Sequence, residues 1–83
     1  MENQIIERKE AIILLKSRME IIRTNIRRLM KEQSVTQTEL GGRIDSDKFY
    51  VRYVLTHPNA NPSIKSMEKI AWALKTDFIT LAK

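Results

Sequence analysis

The sequence contains no cysteine, only two glycines and two prolines, and no long run of apolar residues. Without cysteine, neither disulfide bonds nor thiolate metal sites can form, which fits a reducing cytoplasm. The longest uninterrupted apolar run is Ala11 to Leu15, far shorter than the roughly 20 residues that cross a bilayer. The acidic residues before this run do not resemble the start of a secretory signal. The sequence therefore predicts a soluble, cytoplasmic protein with no membrane segment.

Basic residues outnumber acidic ones in this chain of 83 residues, which is long enough for a single domain. The net charge of +5 and the pI of about 9.8 favour an anionic partner. The basic residues are spread along the chain, so the charge alone does not identify that partner. His57 is the only histidine and has no second ligand at metal-binding spacing. No glycine-rich phosphate loop and no activated nucleophile is present. We expect no metal, no cofactor and no enzymatic activity.

Apolar residues recur at intervals of seven along the first third of the chain. They are Ile5, Ile12, Met19 and Ile26, with Leu15, Ile22 and Leu29 three positions beyond the last three. This spacing predicts one long helix, or two helices broken near Ser17 or Thr24.

Two short helices joined by a turn of about four residues are predicted next. Thr36 and Glu39 have the spacing of a capping box, which starts a helix that ends near Ile44. The segment Asp45-Ser46-Asp47 is suited to form the turn and to cap a second helix that ends near Leu55. Together these signals predict a compact pair of short helices.

Signals for two further helices follow a loop. The segment His57–Pro62 is dense in turn formers and predicts irregular structure. Ser63 is suited to cap a fourth helix, and Thr76 or Asp77 a short last one. No strand pattern is present, so the fold class is all-α.

The second short helix carries different kinds of residue on its two opposite faces. With about 100° of rotation per residue, one face carries Val51, Val54 and Leu55. The opposite face carries Phe49, Arg52, Tyr53 and Thr56. A solvated helix would carry lysine and glutamate on this face, and a buried helix would not carry arginine there. A basic and aromatic outer face on a short helix is typical of a DNA reader in the major groove.

From about Ile21 to Leu81 the chain resembles the Xre/Cro family of helix-turn-helix proteins, which includes the lambda-type phage repressors. The matching positions are Thr36, Gln37 and Leu40, Gly41, the apolar residues Ile44, Val51 and Val54, and the run NPSIKSMEKIAWAL from Asn61 to Leu74. The resemblance implies a compact five-helix helix-turn-helix bundle in residues 21–83. The resemblance also implies a dimer that binds operator DNA and regulates transcription, as a repressor. Residues 1–20 precede the family's usual first helix and are not explained by the resemblance; we expect this N-terminal extension to form an additional helix.

The chain departs from the family pattern at several positions. The family pairs an arginine on the first helix with a glutamate at the end of the third, and the matching residues here are Met30 and Leu55. Apolar packing would replace that ion pair. Asp45 stands where the family has a glycine, and aspartate tolerates a left-handed conformation. Gly41 is explained by close packing of the two short helices, or else it merely loosens the first of them.

The DNA-contacting residues are expected on the two short helices and the following loop. The base-reading candidates are Lys48, Phe49, Arg52 and Tyr53. The phosphate-binding candidates are Thr36, Gln37, Arg43, Asn59, Asn61, Ser63 and Lys65. Arg52 is suited to bind guanine O6 and N7, and Gln37 matches a family position that binds phosphate. The alternative for Phe49 is that it closes the core below the turn, and core packing is the preferred interpretation of Tyr50.

A homodimer is expected, with two candidate surfaces. The candidate interface residues are Ile5, Ile12, Leu15, Trp72, Phe78, Ile79 and Leu81. The alternative for Trp72 is a place in the core, which is the preferred interpretation. The alternative for the N-terminal extension is that it only covers its own domain.

Three functions are consistent with these features. The first is a repressor that binds double-stranded DNA. The second is an antitoxin that binds both operator DNA and a toxin protein, with the N-terminal helix as the toxin-binding segment. The third is a protein-interaction module that has lost DNA binding, and the arginine and lysine on the second short helix argue against it.

Overall fold

The computed structural model describes residues 8–83, with side chains from residue 17 onward, and that part of the chain contains five helices and no strand. The helices are α1 (Arg8–Gln33), α2 (Gln37–Arg43), α3 (Lys48–Thr56), α4 (Ile64–Ala73) and α5 (Phe78–Leu81). The predicted all-α class is confirmed. None of these helices is long and apolar enough to cross a membrane.

Helix α1 is continuous over its 26 residues. Neither Ser17 nor Thr24 interrupts it, so the prediction of one long helix is the correct alternative. From Arg8 onward the N-terminal extension continues α1, and a separate additional helix is not present in the described residues. The helix ends where Ser34 adopts a φ of 55° and the amide of Val35 donates to the Met30 carbonyl at 2.8 Å.

The apolar stripe of α1 forms one wall of the core. Ile22, Ile26 and Met30 are buried, and Met19 and Leu29 pack against them. The other helices and the residues that flank them contribute the remaining members of this cluster: Val35, Leu40, Ile44, Val51, Val54, Leu55, Met67, Ile70, Ala71, Ala73, Leu74 and Leu81. Met30 and Leu55 belong to this one cluster, in agreement with apolar packing at these two positions.

Helices α2 and α3 have the start signals expected from the sequence. The Thr36 hydroxyl accepts from the Glu39 amide and the Glu39 carboxylate accepts from the Thr36 amide, each at 3.0 Å. The Asp47 carboxylate accepts from the Tyr50 amide at 3.0 Å. Between the helices, Asp45 has a φ of 58°, the left-handed conformation that aspartate tolerates.

Gly41 lies where α2 and the start of α3 come closest. A Cβ atom at this position would lie 2.5 Å from the Asp47 carbonyl carbon and 2.7 Å from its oxygen, both backbone atoms that cannot rotate away. A Cβ at Gly42 would meet nothing within 4 Å. Gly41 is therefore explained by close packing, whereas nothing in the structure explains Gly42.

The two glycines make a matched pair of variants. We expect Gly41→Ala to lower the free energy of unfolding by about 1–3 kcal/mol, because overpacking forces the backbone to shift. Gly42→Ala should raise it by about 0.5 kcal/mol, since alanine is the better helix former. Urea unfolding of both variants measures the difference. Equal losses in the two variants would show that the helix crossing is looser than it appears here.

Polar side chains of α1 bind backbone carbonyls at the end of α3. Arg23 is 6% exposed, and it donates from Nε to the Val54 carbonyl and from Nη2 to the His57 carbonyl, both at 2.9 Å. Arg27 donates to the Leu55 carbonyl. Positive side chains are favourable at a helix C-terminus, where unpaired carbonyls concentrate negative partial charge.

The ends of α4 and α5 are held by α1 in the same way. The bonds join Gln33 Nε2 to the Leu74 carbonyl at 2.7 Å, Asn25 Nδ2 to the Leu81 carbonyl at 2.8 Å, and Arg18 Nη1 to the Ala82 carbonyl at 2.9 Å. Helix α1 therefore fixes the C-terminal ends of three other helices.

Serine and aspartate cap α4 and α5 at their starts. The Ser63 hydroxyl accepts from the Ser66 amide at 3.1 Å, and the Asp77 carboxylate accepts from the Thr80 amide at 2.7 Å. Asp77, and not Thr76, is the residue that caps α5. The Thr80 amide lowers the pKa of Asp77 by stabilising its charged form.

Candidate nucleic-acid interface

Helix α3 separates into a buried and an exposed face as its sequence predicts. Val51, Val54 and Leu55 are buried, and the opposite face exposes Phe49 to 64% and Tyr53 to 40%. Lys48, Arg52 and Thr56 on this face are exposed as well. The four base-reading candidates therefore lie together on one accessible face.

The two alternatives for aromatic residues on α3 are resolved differently. Phe49 does not close the core, because nearly two thirds of its side chain is exposed. Tyr50 is half-buried and packs against the core cluster, so core packing is confirmed for it. One of the two neighbouring aromatics thus anchors the start of α3, and the other faces outward.

Neighbouring side chains support the outward-facing aromatics. The Lys48 ammonium lies 5.3 Å from the centroid of the Phe49 ring, within cation–π range. The Tyr53 ring centroid lies 6.4 Å from that of Tyr50 and 5.1 Å from that of His57. These contacts restrict the rings before any partner binds.

Arg52 is positioned differently from the other arginines of the bundle. Among the described residues its side chain forms no hydrogen bond and no ion pair, whereas Arg23 and Arg27 are both bonded to backbone carbonyls. The exposed guanidinium of Arg52 thus retains the donor pair that a bidentate contact with guanine requires.

The start of α2 is organised by its capping box. Because the Thr36 amide is bonded to Glu39 and its hydroxyl oxygen accepts from the Glu39 amide, the hydroxyl proton is what remains for a phosphate. Gln37 is half-buried beside it. The backbone amide of Thr36 is the largest cause of the lowered pKa of Glu39. A lowered folded-state pKa means that this stabilisation is present at neutral pH and is lost as the pH falls through that pKa.

The other phosphate candidates are distributed over two places. Asn59, Asn61 and Lys65 are exposed in and just after the loop, where Ser63 is engaged as the cap of α4. Arg43 lies elsewhere, since its Nη1 donates to the Ala73 carbonyl at the end of α4 at 3.1 Å. Arg43 is therefore bonded to α4 and not grouped with the loop residues.

The dimer candidates near the last two helices differ in exposure. Trp72 is 76% exposed and Ile79 is 71% exposed, so the core interpretation preferred for Trp72 is wrong. Phe78 is half-buried against the core. Leu81 is 1% exposed and is a core residue, which corrects its assignment as an interface candidate. Ile5, Ile12 and Leu15 lie outside the residues whose side chains the structure describes.

Sequence reasoning missed Arg23 and Arg27, which hold the end of α3. The one signal in the sequence is their spacing of four, which places both on the same side of α1, next to its apolar stripe. They position the candidate reading helix without lying on its outer face.

No group of three or more histidine, cysteine, aspartate or glutamate side chains in residues 17–83 is placed to hold a metal ion. Comparisons with known protein families, with curated proteins and with solved structures found no match for this chain.

Proposed function

We propose that this chain is a DNA-binding transcription regulator of the Xre/Cro type, acting as a repressor. In this proposal α2 and α3 form the helix-turn-helix, and α3 lies in the major groove. The observation that carries it is the outer face of α3, where Phe49, Arg52 and Tyr53 are exposed beside Lys48. On a helix face that contacts only solvent, two exposed aromatic rings beside a lysine and an arginine would be unusual.

The chemistry of this face suits the edges of base pairs. Arg52 can donate two parallel hydrogen bonds to guanine, and the Phe49 ring can pack against a thymine methyl group. Tyr53 can donate to a base edge or a phosphate. Gln37 and the loop residues Asn59 and Asn61 would hold the phosphate backbone and so set the register of α3 in the groove.

The two arginines of α1 that bind the end of α3 support the same proposal. Arg23 and Arg27 fix the carbonyl end of α3, and their charge offsets the negative end of its dipole. A reading helix needs a fixed orientation, since a base contact depends on distances of about 3 Å.

We further propose that the regulator acts as a dimer. One bundle of this size contacts a single half-site, and two reading helices about 34 Å apart match one turn of DNA. An apolar groove of about 470 Å³ lies beside Met19, near the end of the N-terminal extension (residues 1–20). It is also lined by Ile22, Ile64 and Phe78, among others. This groove and the exposed Ile79 on α5 offer apolar surface on which a second copy can pack.

The salt dependence of DNA binding tests the proposal directly. Binding should weaken steeply as salt rises, because each neutralised phosphate releases counterions. A mobility-shift titration over several salt concentrations, with a site selected from random DNA, gives the slope. Undetectable binding to any DNA at low salt would remove the proposed function.

The roles of individual residues are separated by variants on the selected site. Arg52→Ala should cost about 1–3 kcal/mol of binding and relax the preference at one base pair. Gln37→Ala should weaken binding to all DNA sequences nearly equally. Arg28→Ala is the matched control, because this exposed arginine pairs with Glu32 on the outer side of α1. An even loss across sites for Arg52→Ala would make Arg52 a backbone contact instead.

A further inference from the structure

Helices α2 and α4 form a second groove at their C-terminal ends, apart from the outer face of α3. Its volume is about 630 Å³, and it is lined by Arg43, Trp72, Ala73, Lys75 and Thr76. We call it the Trp72 groove. Trp72 is 76% exposed, more than any other large apolar side chain described. Tryptophan buries 150–250 Å² when it packs, so this exposure leaves a large apolar area uncovered.

Hydrogen bonds hold the Arg43 side chain and the backbone turn of the Trp72 groove. The Arg43 guanidinium donates to the Ala73 carbonyl at 3.1 Å. Lys75 has a φ of 62°, and its amide donates to the Trp72 carbonyl at 3.0 Å. The Thr76 amide closes the same turn by donating to the Ala71 carbonyl at 2.9 Å. The backbone of the groove therefore does not have to reorganise when a partner binds.

The charged residues that line the groove have one sign, and the nearby carboxylate of Glu39 on α2 lies outside the lining. Arg43 and Lys75 are both cationic, and no carboxylate is among the lining residues. Tryptophan and arginine are also the residue types that dominate binding energy at protein interfaces. An apolar surface between two cations is complementary to an apolar side chain flanked by carboxylates.

A second copy of the chain fits this groove poorly. In a two-fold dimer centred on Trp72, each residue of the patch would face the same patch on the other copy. Two Arg43 and two Lys75 side chains would then come together without a carboxylate among the lining residues. Such juxtaposition of like charges is costly at an interface.

Duplex DNA is also a poor occupant. Phosphates would match the two cations, but the duplex backbone offers little apolar surface to cover an indole ring. The residues that line the groove include none from α3 and none from the loop at 57–62. The Trp72 groove therefore does not continue the surface proposed to read DNA.

We propose that the Trp72 groove binds an acidic segment of a partner protein. An apolar side chain of that segment packs on Trp72, and carboxylates on either side of it pair with Arg43 and Lys75. This interaction is additional to DNA binding and does not depend on it.

The probe is a library of displayed random peptides, selected on the full chain. We expect the retained peptides to carry aspartate or glutamate around an apolar residue. Because Trp72 is the only tryptophan, its fluorescence reports on this groove alone. Addition of a synthetic retained peptide should shift the emission to shorter wavelength as the indole leaves water.

Variants then locate the binding site. Trp72→Ala should weaken binding of the peptide at least about tenfold, as expected for a hot-spot tryptophan. Lys75→Glu should weaken it to a similar degree by reversing one charge. Lys31→Glu changes the net charge equally, at an exposed residue of α1 that does not line the groove, and should leave the affinity within about twofold.

Four results would overturn the inference. The first is that no peptide is retained, or that retained peptides lack acidic residues. The second is that Trp72→Ala binds the peptide like the parent. The third is that Trp72→Ala reduces the dimer in sedimentation experiments, which would assign the groove to a second copy. The fourth is that Lys75→Glu weakens DNA binding more than Lys31→Glu does, which would assign it to nucleic acid.

Discussion

Replacement of Leu55 by glutamate should lower the free energy of unfolding by about 3–5 kcal/mol, the usual cost of an unpaired charge in a core. Leu55 is buried at the end of α3 in the same cluster as Met30. A small domain has only about 5–15 kcal/mol in total, so this loss is a large fraction of its stability. Thermal and urea unfolding followed by circular dichroism measure the loss.

Two further variants make the Leu55 result specific. Addition of Met30→Arg should recover part of the loss by providing a partner for the buried carboxylate. Thr56→Glu, at the adjacent exposed position, should cost less than about 1 kcal/mol, since only the helix dipole opposes it. If Leu55→Glu melts like the parent, α3 ends in a different orientation from the one described.

Arg23→Ala is expected to lower the free energy of unfolding by about 2–4 kcal/mol. The change leaves the Val54 carbonyl without its donor, and a buried unpaired acceptor costs about 1–3 kcal/mol. It also removes the packing of a side chain that is only 6% exposed, whereas the His57 carbonyl keeps the Ala60 amide as a donor. The matched control is Arg28→Ala, because the exposed pair of Arg28 with Glu32 is worth at most about 1 kcal/mol. Urea unfolding compares the two variants, and equal small losses would contradict a structural role for Arg23.

The starts of the helices could be predicted from the sequence because their signals are local. A cap needs one side chain and an amide three residues later, and Thr36, Asp47 and Ser63 each have this arrangement. The two faces of α3 were predictable for a related reason. Helix geometry alone separates Val51 from Arg52 by about 100°.

Contacts between distant segments could not be predicted in this way. Arg23 lies 31 residues from Val54 in the sequence, and only the packing of α1 against α3 brings them together. Trp72 stands between Ala71 and Ala73, which are both buried, so its neighbours in the sequence favoured a core position for Trp72 as well. Its exposure is set by the side of α4 that faces the bundle. The burial of Leu81 depends in the same way on how α5 docks.

The bonds from α1 to three helix ends have a consequence for how this helix can move. A slide of one turn would displace each donor by about 5.4 Å along the axis. Arg27 lies one turn from Arg23 and could take its place, but the residues one turn from Asn25 on either side, Ile21 and Leu29, have no donor to replace it. A displacement of α1 would therefore release the ends of α4 and α5 together with part of its hold on α3.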